Sequence, residues 1–245
     1  MIARSALRLV AVASALSLAG CMSMPMPPSP NLHRSLYPSL GDLKPGEIGE
    51  AFDVDVQLTP PLSGGVAWLS ESPGADESAA IVLSEYHRTG VVDAALAALR
   101  DEPFSNVANL PTMVSSGSAP SAGVLDSLRS AAARFQYDIV FLLQTGAAHD
   151  RGLNVLALGY LGLITIPFIP GDDIGVASSA ELCAIDVRTG VMLGCARGRG
   201  EARKRFAFRR RANEDRQVLA EEGLREAVKT AASDLLVQLL ARTRR

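Results

Sequence analysis

Two cysteines in the second half of the chain, Cys183 and Cys195, lie where their thiols could form a disulfide. The runs 181–187 and 191–196 are typical of strands, and a turn-forming Gly190 lies between them. Counting outward from a three-residue loop gives three predicted pairs: Val187 with Val191, Ile185 with Leu193, and Cys183 with Cys195. A bridge and two buried free thiols both stay open, because a register can slip and a disulfide across neighbouring strands demands a specific geometry.

A third cysteine, Cys21, ends a segment with the features of a secretion signal. Arg4 and Arg8 precede an apolar run at 9–18, and Leu18-Ala19-Gly20-Cys21 looks like a lipobox. In that pattern the cysteine thiol is diacylated and becomes the mature N-terminus. The apolar run is too short to span a bilayer, which favours lipidation of Cys21 over a transmembrane anchor, with a plain signal peptide as the alternative.

These features divide the chain into three parts. We predict a lipoprotein signal peptide at 1–20, a lipidated tether and linker at 21–50, and a single α+β periplasmic domain at 51–245. Four prolines between Cys21 and residue 35 disfavour helix in the tether. By resemblance to bacterial lipoprotein sorting signals, an aspartate after the lipidated cysteine is associated with retention in the inner membrane, and this chain has Met22 there. We therefore predict a palmitate-type lipid anchor in the cell outer membrane, facing the periplasm.

The usual signatures of catalysis and of metal binding are missing from the sequence. It has 48% hydrophobic and 20% charged residues, the balance of one globular domain, and contains no P-loop, paired Cys-x-x-Cys or His-Glu-x-x-His pattern. His33, His87 and His149 show no ligand spacing, and Asp172-Asp173 lacks the further oxygen ligands of a calcium loop. We therefore predict no catalytic residues, no metal, no cofactor, no small-molecule substrate and no enzymatic activity.

Charge is distributed unevenly along the chain. From Cys21 to Asp150 there are 6 basic and 15 acidic side chains, whereas the remainder has 16 basic and 11 acidic ones. A candidate basic surface consists of Arg203, Lys204, Arg205, Arg209, Arg210 and Arg211. It would contact anionic lipid headgroups or an acidic partner, or pair with the acidic half of the same chain. A periplasmic location disfavours nucleic acid, so we predict no nucleic-acid partner.

No charged side chain occurs between Arg151 and Asp172. Glycines and prolines in this stretch disfavour a spanning helix. The stretch is either buried under the last helix or forms an apolar contact patch for the membrane, a partner or a second copy. The candidate patch residues are Leu161, Leu163, Ile164, Ile166 and Phe168.

Hydrophobic periodicity predicts an α+β fold, a mixed or mainly antiparallel sheet with packed helices. The predicted elements are strands at 52–58 and 66–69, helices at 78–88 and 91–99, a strand at 107–110, a helix at 124–135, strands at 137–144, 153–169 and 176–187, and a hairpin partner reaching about 208. A C-terminal amphipathic helix follows, with an apolar stripe of Leu224, Val228, Ala231, Leu235 and Leu239.

Several short segments together resemble a known group of proteins. They are the lipobox, Leu36-Tyr37-Pro38, the 131–140 helix-to-strand junction, Phe168-Ile169-Pro170-Gly171, and the 184–190 turn. This combination resembles the rhombotarget-type bacterial lipoproteins and, more loosely, the periplasmic domains of curli-secretion CsgG-like lipoproteins. The resemblance implies an envelope protein and transfers no site residues.

The sequence thus predicts a non-enzymatic envelope accessory protein, anchored to the outer membrane by lipid. It would bind an envelope protein partner or self-associate through the apolar patch and the basic C-terminal region. The alternatives are an oligomeric CsgG-like export component and a hydrolase with an unrecognised site.

Overall fold

The fold is taken from a computed structural model of the whole chain. The structure describes residues 58–69, 80–100, 102–110, 122–153, 172–206 and 212–243, together with the single positions 30, 32, 36 and 56. The elements in chain order are β1 (Leu62–Trp68), α1 (Glu85–Ala98), β2 (Phe104–Asn109), α2 (Ala122–Arg134), β3 (Ile139–Leu153), β4 (Asp172–Asp186), β5 (Met192–Phe206) and α3 (Ala212–Thr243). None of these helices is long and apolar enough to cross a membrane.

The five strands form one mixed sheet in the order β2-β1-β3-β4-β5. β1 pairs in parallel with both β2 and β3, because helices carry the chain back between these strands. β3, β4 and β5 are each 15 residues long and pair antiparallel. The predicted α+β class with a mixed sheet is confirmed.

α1 and α3 cover one face of this sheet, the helical face. The predicted apolar stripe of α3, from Leu224 to Leu239, is buried there, with each of its five side chains at most 1% exposed. It packs on Phe141, Leu143 and Leu182 from the middle strands in the larger of two apolar cores. The C-terminal amphipathic helix is therefore confirmed, and burial of its stripe stabilises the sheet.

Glycines on β5 let α3 approach the sheet backbone to backbone. A Cβ built on Gly198 would lie 1.8 Å from the carbonyl oxygen of Ala227, and one on Gly200 would lie 2.0 Å from that of Gly223. Only hydrogen fits at such a distance. Side chains of any size at these two positions would push the helix away from β4 and β5.

The second face of the sheet, the anchor face, is covered by α2 and by positions near the N-terminus. Leu125 and Leu128 of α2 pack on Val140 and Leu142 of β3 in the smaller core. Leu32 and Leu36 belong to the same core and are 0% and 2% exposed. Both residues are in helical conformation. Positions inside the predicted 21–50 tether and linker are therefore part of the folded core.

The predicted helix at 78–88 is wrong over residues 80–84, since α1 begins only at Glu85. Ala80 instead bridges to Ala148 of β3. The Gln217 side chain of α3 then donates to the Val82 carbonyl at 2.7 Å and accepts from the Ser84 N–H at 2.9 Å. These tertiary bonds satisfy the backbone of Val82 and Ser84 in an extended form, so the helix starts at Glu85, seven residues after the predicted start.

Other predicted elements differ in extent. α1 runs as one helix through 91–98, where a separate helix was expected. Val56 and Leu58 of the predicted 52–58 strand lie outside the sheet and pack, half-buried, against the larger core. Most of the predicted 153–169 strand lies outside the described residues.

Candidate functional site

The β4–β5 hairpin carries the first candidate site, and its turn sets the register. The Gly190 N–H donates to the Asp186 carbonyl at 2.8 Å, and Gly190 has a φ of 75°, in the left-handed region. Asp186 also accepts from the Thr189 N–H through its carboxylate at 2.9 Å. Because Asp186 bonds across the turn to Val191, four residues form the loop instead of three.

A bulge next to the turn compensates for the longer loop. Ile185 pairs with Met192, and the predicted pair Ile185–Leu193 is wrong. The register then shifts by one residue before Ala184, so that Cys183 lies opposite Cys195. Their sulfur atoms are joined at 2.04 Å, and the two Cα atoms are 4.1 Å apart. The bridge ties the edge strand β5 to the buried strand β4.

We predict that the mature protein contains this bridge and loses stability when it is reduced. Cross-linking residues with a sequence separation of 12 restricts the unfolded chain, and its loss should cost about 3 kcal/mol. Intact mass with and without reductant under denaturing conditions should differ by two hydrogens, and urea unfolding should shift to lower concentration in reductant. Equal thiol labelling of both samples would contradict the bridge.

A buried carboxylate next to the disulfide joins the N-terminal region to the hairpin. Glu181 of β4 is 1% exposed and lies directly opposite Arg197 of β5. The Leu32 N–H donates to one carboxylate oxygen of Glu181 at 2.7 Å, and the Arg197 Nε donates to the other at 3.2 Å. We call Leu32, Glu181 and Arg197 the latch. Each oxygen of the Glu181 carboxylate accepts a hydrogen bond, and these two bonds offset the free-energy cost of burying the carboxylate.

The latch and the disulfide form the group of residues in the described part that comes nearest to a metal site. One oxygen of Glu181 and the two sulfurs lie within 4.8 Å of one another. Sulfurs that are bonded to each other have no thiolate to offer a metal, and the carboxylate is already held by two donors. These residues therefore have a structural role, in which they attach the N-terminal region at Leu32 to β4 and β5.

Basic side chains alternate along β5 and form the second feature. Four exposed arginines of β5 lie at odd-numbered positions, as Cys195 does, and we call them the arginine row: Arg197, Arg199, Arg203 and Arg205. Arg205 lies 3.5 Å from Asp173. Lys204 has the other parity and pairs at 3.2 Å with Asp215 of α3. The predicted members Arg203, Lys204 and Arg205 are thus divided between two faces, and Arg209, Arg210 and Arg211 lie outside the described residues.

A third feature is an exposed apolar surface where α1 meets α3. Val82, Tyr86 and Val218 are 68%, 82% and 46% exposed, and we call them the Tyr86 surface. Gln217 fixes the chain at Val82, and the His87 Nδ1 lies 2.6 Å from Glu221 of α3. These bonds hold the two helices together under the exposed side chains. Val218 continues into a shallow groove on α3 lined by Glu221, Glu222, Arg225, Glu226 and Lys229.

The other predicted site residues fall in different places. Cys21 and the contact patch, Leu161, Leu163, Ile164, Ile166 and Phe168, lie outside the described residues, as does His33. His87 and His149 lie on α1 and β3 without forming a common site. The latch was not predicted. Its signal was present, since pairing Cys183 with Cys195 also places Glu181, the single charged residue of the run 176–185, opposite Arg197.

Comparisons with known proteins give structural likenesses at low sequence identity. No protein-family model matches the chain, and no curated protein matches it. The PelC dodecamer from Paraburkholderia phytofirmans is 13% identical, with a TM-score of 0.34, and the match covers 74% of this chain and 87% of PelC. The lipoprotein GNA1162 from Neisseria meningitidis is 16% identical, with a TM-score of 0.35, over 74% of this chain and 99% of that one.

Proposed function

We propose that this protein is a lipid-anchored, non-enzymatic accessory protein of the bacterial envelope, attached through Cys21 to the periplasmic face of the outer membrane. The latch is the observation that carries the proposal. The latch bonds Leu32 to β4, and Leu32 is only 11 residues after Cys21 in the chain. Acyl chains on Cys21 would therefore hold a folded domain at the membrane.

Burial around the latch supports this role. Leu32 and Leu36 are buried in the smaller core, and the Leu32 N–H is held by a charged acceptor. Pulling this region out would expose two leucines and leave the Glu181 carboxylate with one donor fewer. Each acyl methylene buried in a bilayer contributes about 0.8 kcal/mol to membrane binding, so lipid on Cys21 would keep this folded region close to the membrane surface.

The test is replacement of the lipidated cysteine. Cells producing the full chain or its Cys21→Ser variant are grown with labelled palmitate, and membranes are separated by density. We expect the full chain to incorporate label and to fractionate with the outer membrane. The Cys21→Ser chain should incorporate none and should lack the mature N-terminus that lipoprotein processing produces.

The matched control removes the other two cysteines. A Cys183→Ser/Cys195→Ser chain should still incorporate palmitate, because its thiol at position 21 is intact. Incorporation of label by Cys21→Ser at the level of the unaltered chain would contradict the proposal. Fractionation of the acylated protein with the inner membrane would contradict the outer-membrane location while leaving the anchor.

Self-association is a second candidate function, which the Tyr86 surface favours. Three exposed apolar side chains lie near the contact between the two helices, Tyr86 on α1, Val218 on α3 and Val82 just before α1, and exposed apolar area of this kind marks protein contacts. The stretch containing Leu161, Leu163, Ile164, Ile166 and Phe168 stays a further proposed contact patch. An assembly of many copies would agree with the export-component alternative, whereas a monomer would direct the search to a different protein partner.

We expect the purified acylated protein in mild detergent to have an assembled mass above that of one chain. Tyr86→Ser/Val218→Ser should lower this mass by removing apolar contact area. The control is Val237→Ser, which removes an equally apolar, 68% exposed side chain near the other end of α3 and should leave the mass unchanged. Light scattering corrected for bound detergent measures the mass. A monomer in all three samples would contradict self-association.

A further inference from the structure

The arginine row and the latch lie on the same face of the sheet. Successive side chains of a strand point to opposite faces, and the Cys195 sulfur is bonded to Cys183 on the anchor face. The ladder between β4 and β5 has no further register shift from Cys183 to Asp172. Every second residue after Cys195 therefore points to the anchor face, beginning with Arg197 of the latch itself.

The even-numbered residues of β5 point to the opposite, helical face, which confirms this orientation. Gly198 and Gly200 face Ala227 and Gly223 of α3, and Ala202 is buried against the larger core. Lys204 pairs with Asp215 of the same helix. The strand therefore divides its residues cleanly between the helical face and the anchor face.

The row presents four guanidinium groups in two pairs, with Glu201 between the pairs. Alternate residues of a strand are about 6.8 Å apart, so the row extends for about 27 Å along the edge of the sheet. The Arg205 side chain is 72% exposed although it pairs with Asp173, so most of its surface stays open to a phosphate. Glu201 is the only acidic residue of this parity between Arg197 and Arg205. Guanidinium groups bind phosphate through paired hydrogen bonds.

The chain between the latch and the proposed lipid on Cys21 is short, so it limits the distance between the arginine row and the membrane. Nine residue steps separate Cys21 from Pro30, which is buried. Even a fully extended chain spans at most about 32 Å over that distance. Leu32, two residues further on, is bonded to the same carboxylate as Arg197, so the acyl chains lie within that reach of the latch end of the arginine row.

We propose that the arginine row binds the anionic phospholipid headgroups of the membrane in which the acyl chains of Cys21 are embedded. This inference rests on the proposed lipid anchor and adds an orientation to it. The anchor face lies toward the bilayer, and the helical face with the Tyr86 surface lies toward the periplasm. The anchor supplies the hydrophobic attachment, and the row prevents the domain from turning over on its tether.

The test measures the reactivity of individual arginines in the acylated mature protein. The protein is reconstituted into vesicles of phosphatidylcholine, or into vesicles with equal amounts of phosphatidylcholine and phosphatidylglycerol. It is then treated with phenylglyoxal, which modifies accessible guanidinium groups, and the sites are quantified by mass spectrometry. The same spectra give the mass of the Cys21 peptide and hence report acylation independently.

We expect modification of Arg199 and Arg203 to slow about fivefold in the anionic vesicles, because each arginine near such a surface gains about that factor in local binding. Arg225 and Arg242 on α3 should react equally in both vesicles. High salt should abolish the difference by screening. In an Arg199→Gln/Arg203→Gln chain, protection of Arg205 should fall, whereas Lys229→Gln/Arg242→Gln, with the same change in net charge on exposed positions of α3, should keep it.

Three results would overturn the proposal. Equal reactivity of the row in both vesicles, with Cys21 acylated, would show that the row does not contact lipid while leaving the anchor intact. Equal protection by inorganic phosphate without vesicles would identify a site for small anions. A Cys21 peptide without acyl chains would remove the anchor and the inference that rests on it.

Discussion

Replacing Gly198 with alanine is expected to lower the free energy of unfolding by about 3 kcal/mol or more, at the upper end of the cost of overpacking. The added Cβ would lie 1.8 Å from the Ala227 carbonyl oxygen, a backbone atom that can retreat only if α3 moves. Moving α3 would loosen the buried stripe that begins at Leu224. Urea unfolding monitored by circular dichroism measures the loss.

Gly123 provides the matched control for this substitution. It lies in the first turn of α2, and a Cβ there would meet nothing within 4 Å. Gly123→Ala should therefore be neutral or stabilise the protein by up to about 1 kcal/mol, because alanine favours helix. A loss below about 1 kcal/mol for Gly198→Ala would contradict the close backbone approach of α3 to β5.

Replacing Glu181 with alanine is expected to cost about 2–4 kcal/mol and to release the N-terminal region. The substitution removes the acceptor of both the Leu32 N–H and the Arg197 Nε, and leaving a buried donor unpaired is costly. The cost lies below that of a fully buried pair because the Arg197 side chain is 47% exposed. Urea unfolding gives the free energy, and hydrogen exchange at the Leu32 amide reports the latch directly.

Two variants test whether the effect belongs to the latch. Glu181→Gln keeps an oxygen that can accept from the Leu32 N–H and should therefore lose less stability than Glu181→Ala. Glu201→Ala removes an exposed glutamate of β5 and should change stability by no more than about 0.5 kcal/mol. Unchanged exchange at the Leu32 amide in Glu181→Ala would show that the apolar contacts of Leu32 and Leu36 hold the region alone.

The latch also shows how far sequence reasoning extends into the candidate site. Two of its members, Glu181 and Arg197, can be paired from the sequence by counting residues outward from the turn at Gly190. Once Cys183 is opposite Cys195, the same count places Glu181 opposite Arg197. Its third member, Leu32, is 149 residues from Glu181 in the chain. No local pattern connects positions so distant. The prolines near Leu32 instead favoured a tether over a folded segment.

The start of α1 has a similar explanation. Residues 80–84 carry helix-compatible side chains, but their backbone groups bond to β3 and to Gln217. Those partners come from elements about 65 and 135 residues further along the chain. A local propensity of a few tenths of a kcal/mol per residue does not outweigh such bonds.

The amino-acid sequence by itself determined the features that depend on neighbours along the chain. The lipobox pattern at Cys21, the α3 stripe from Leu224 to Leu239 and the β4–β5 hairpin are of this kind, because each arises from a short repeat, a motif or a turn. Tertiary structure alone decided the parallel insertion of β1 between β2 and β3 and the bulge that restores the cysteine register. It also decided the burial of Leu32 against Glu181. These features need contacts between distant segments, whose free energy comes from burial and hydrogen bonds that form only when the whole sheet assembles.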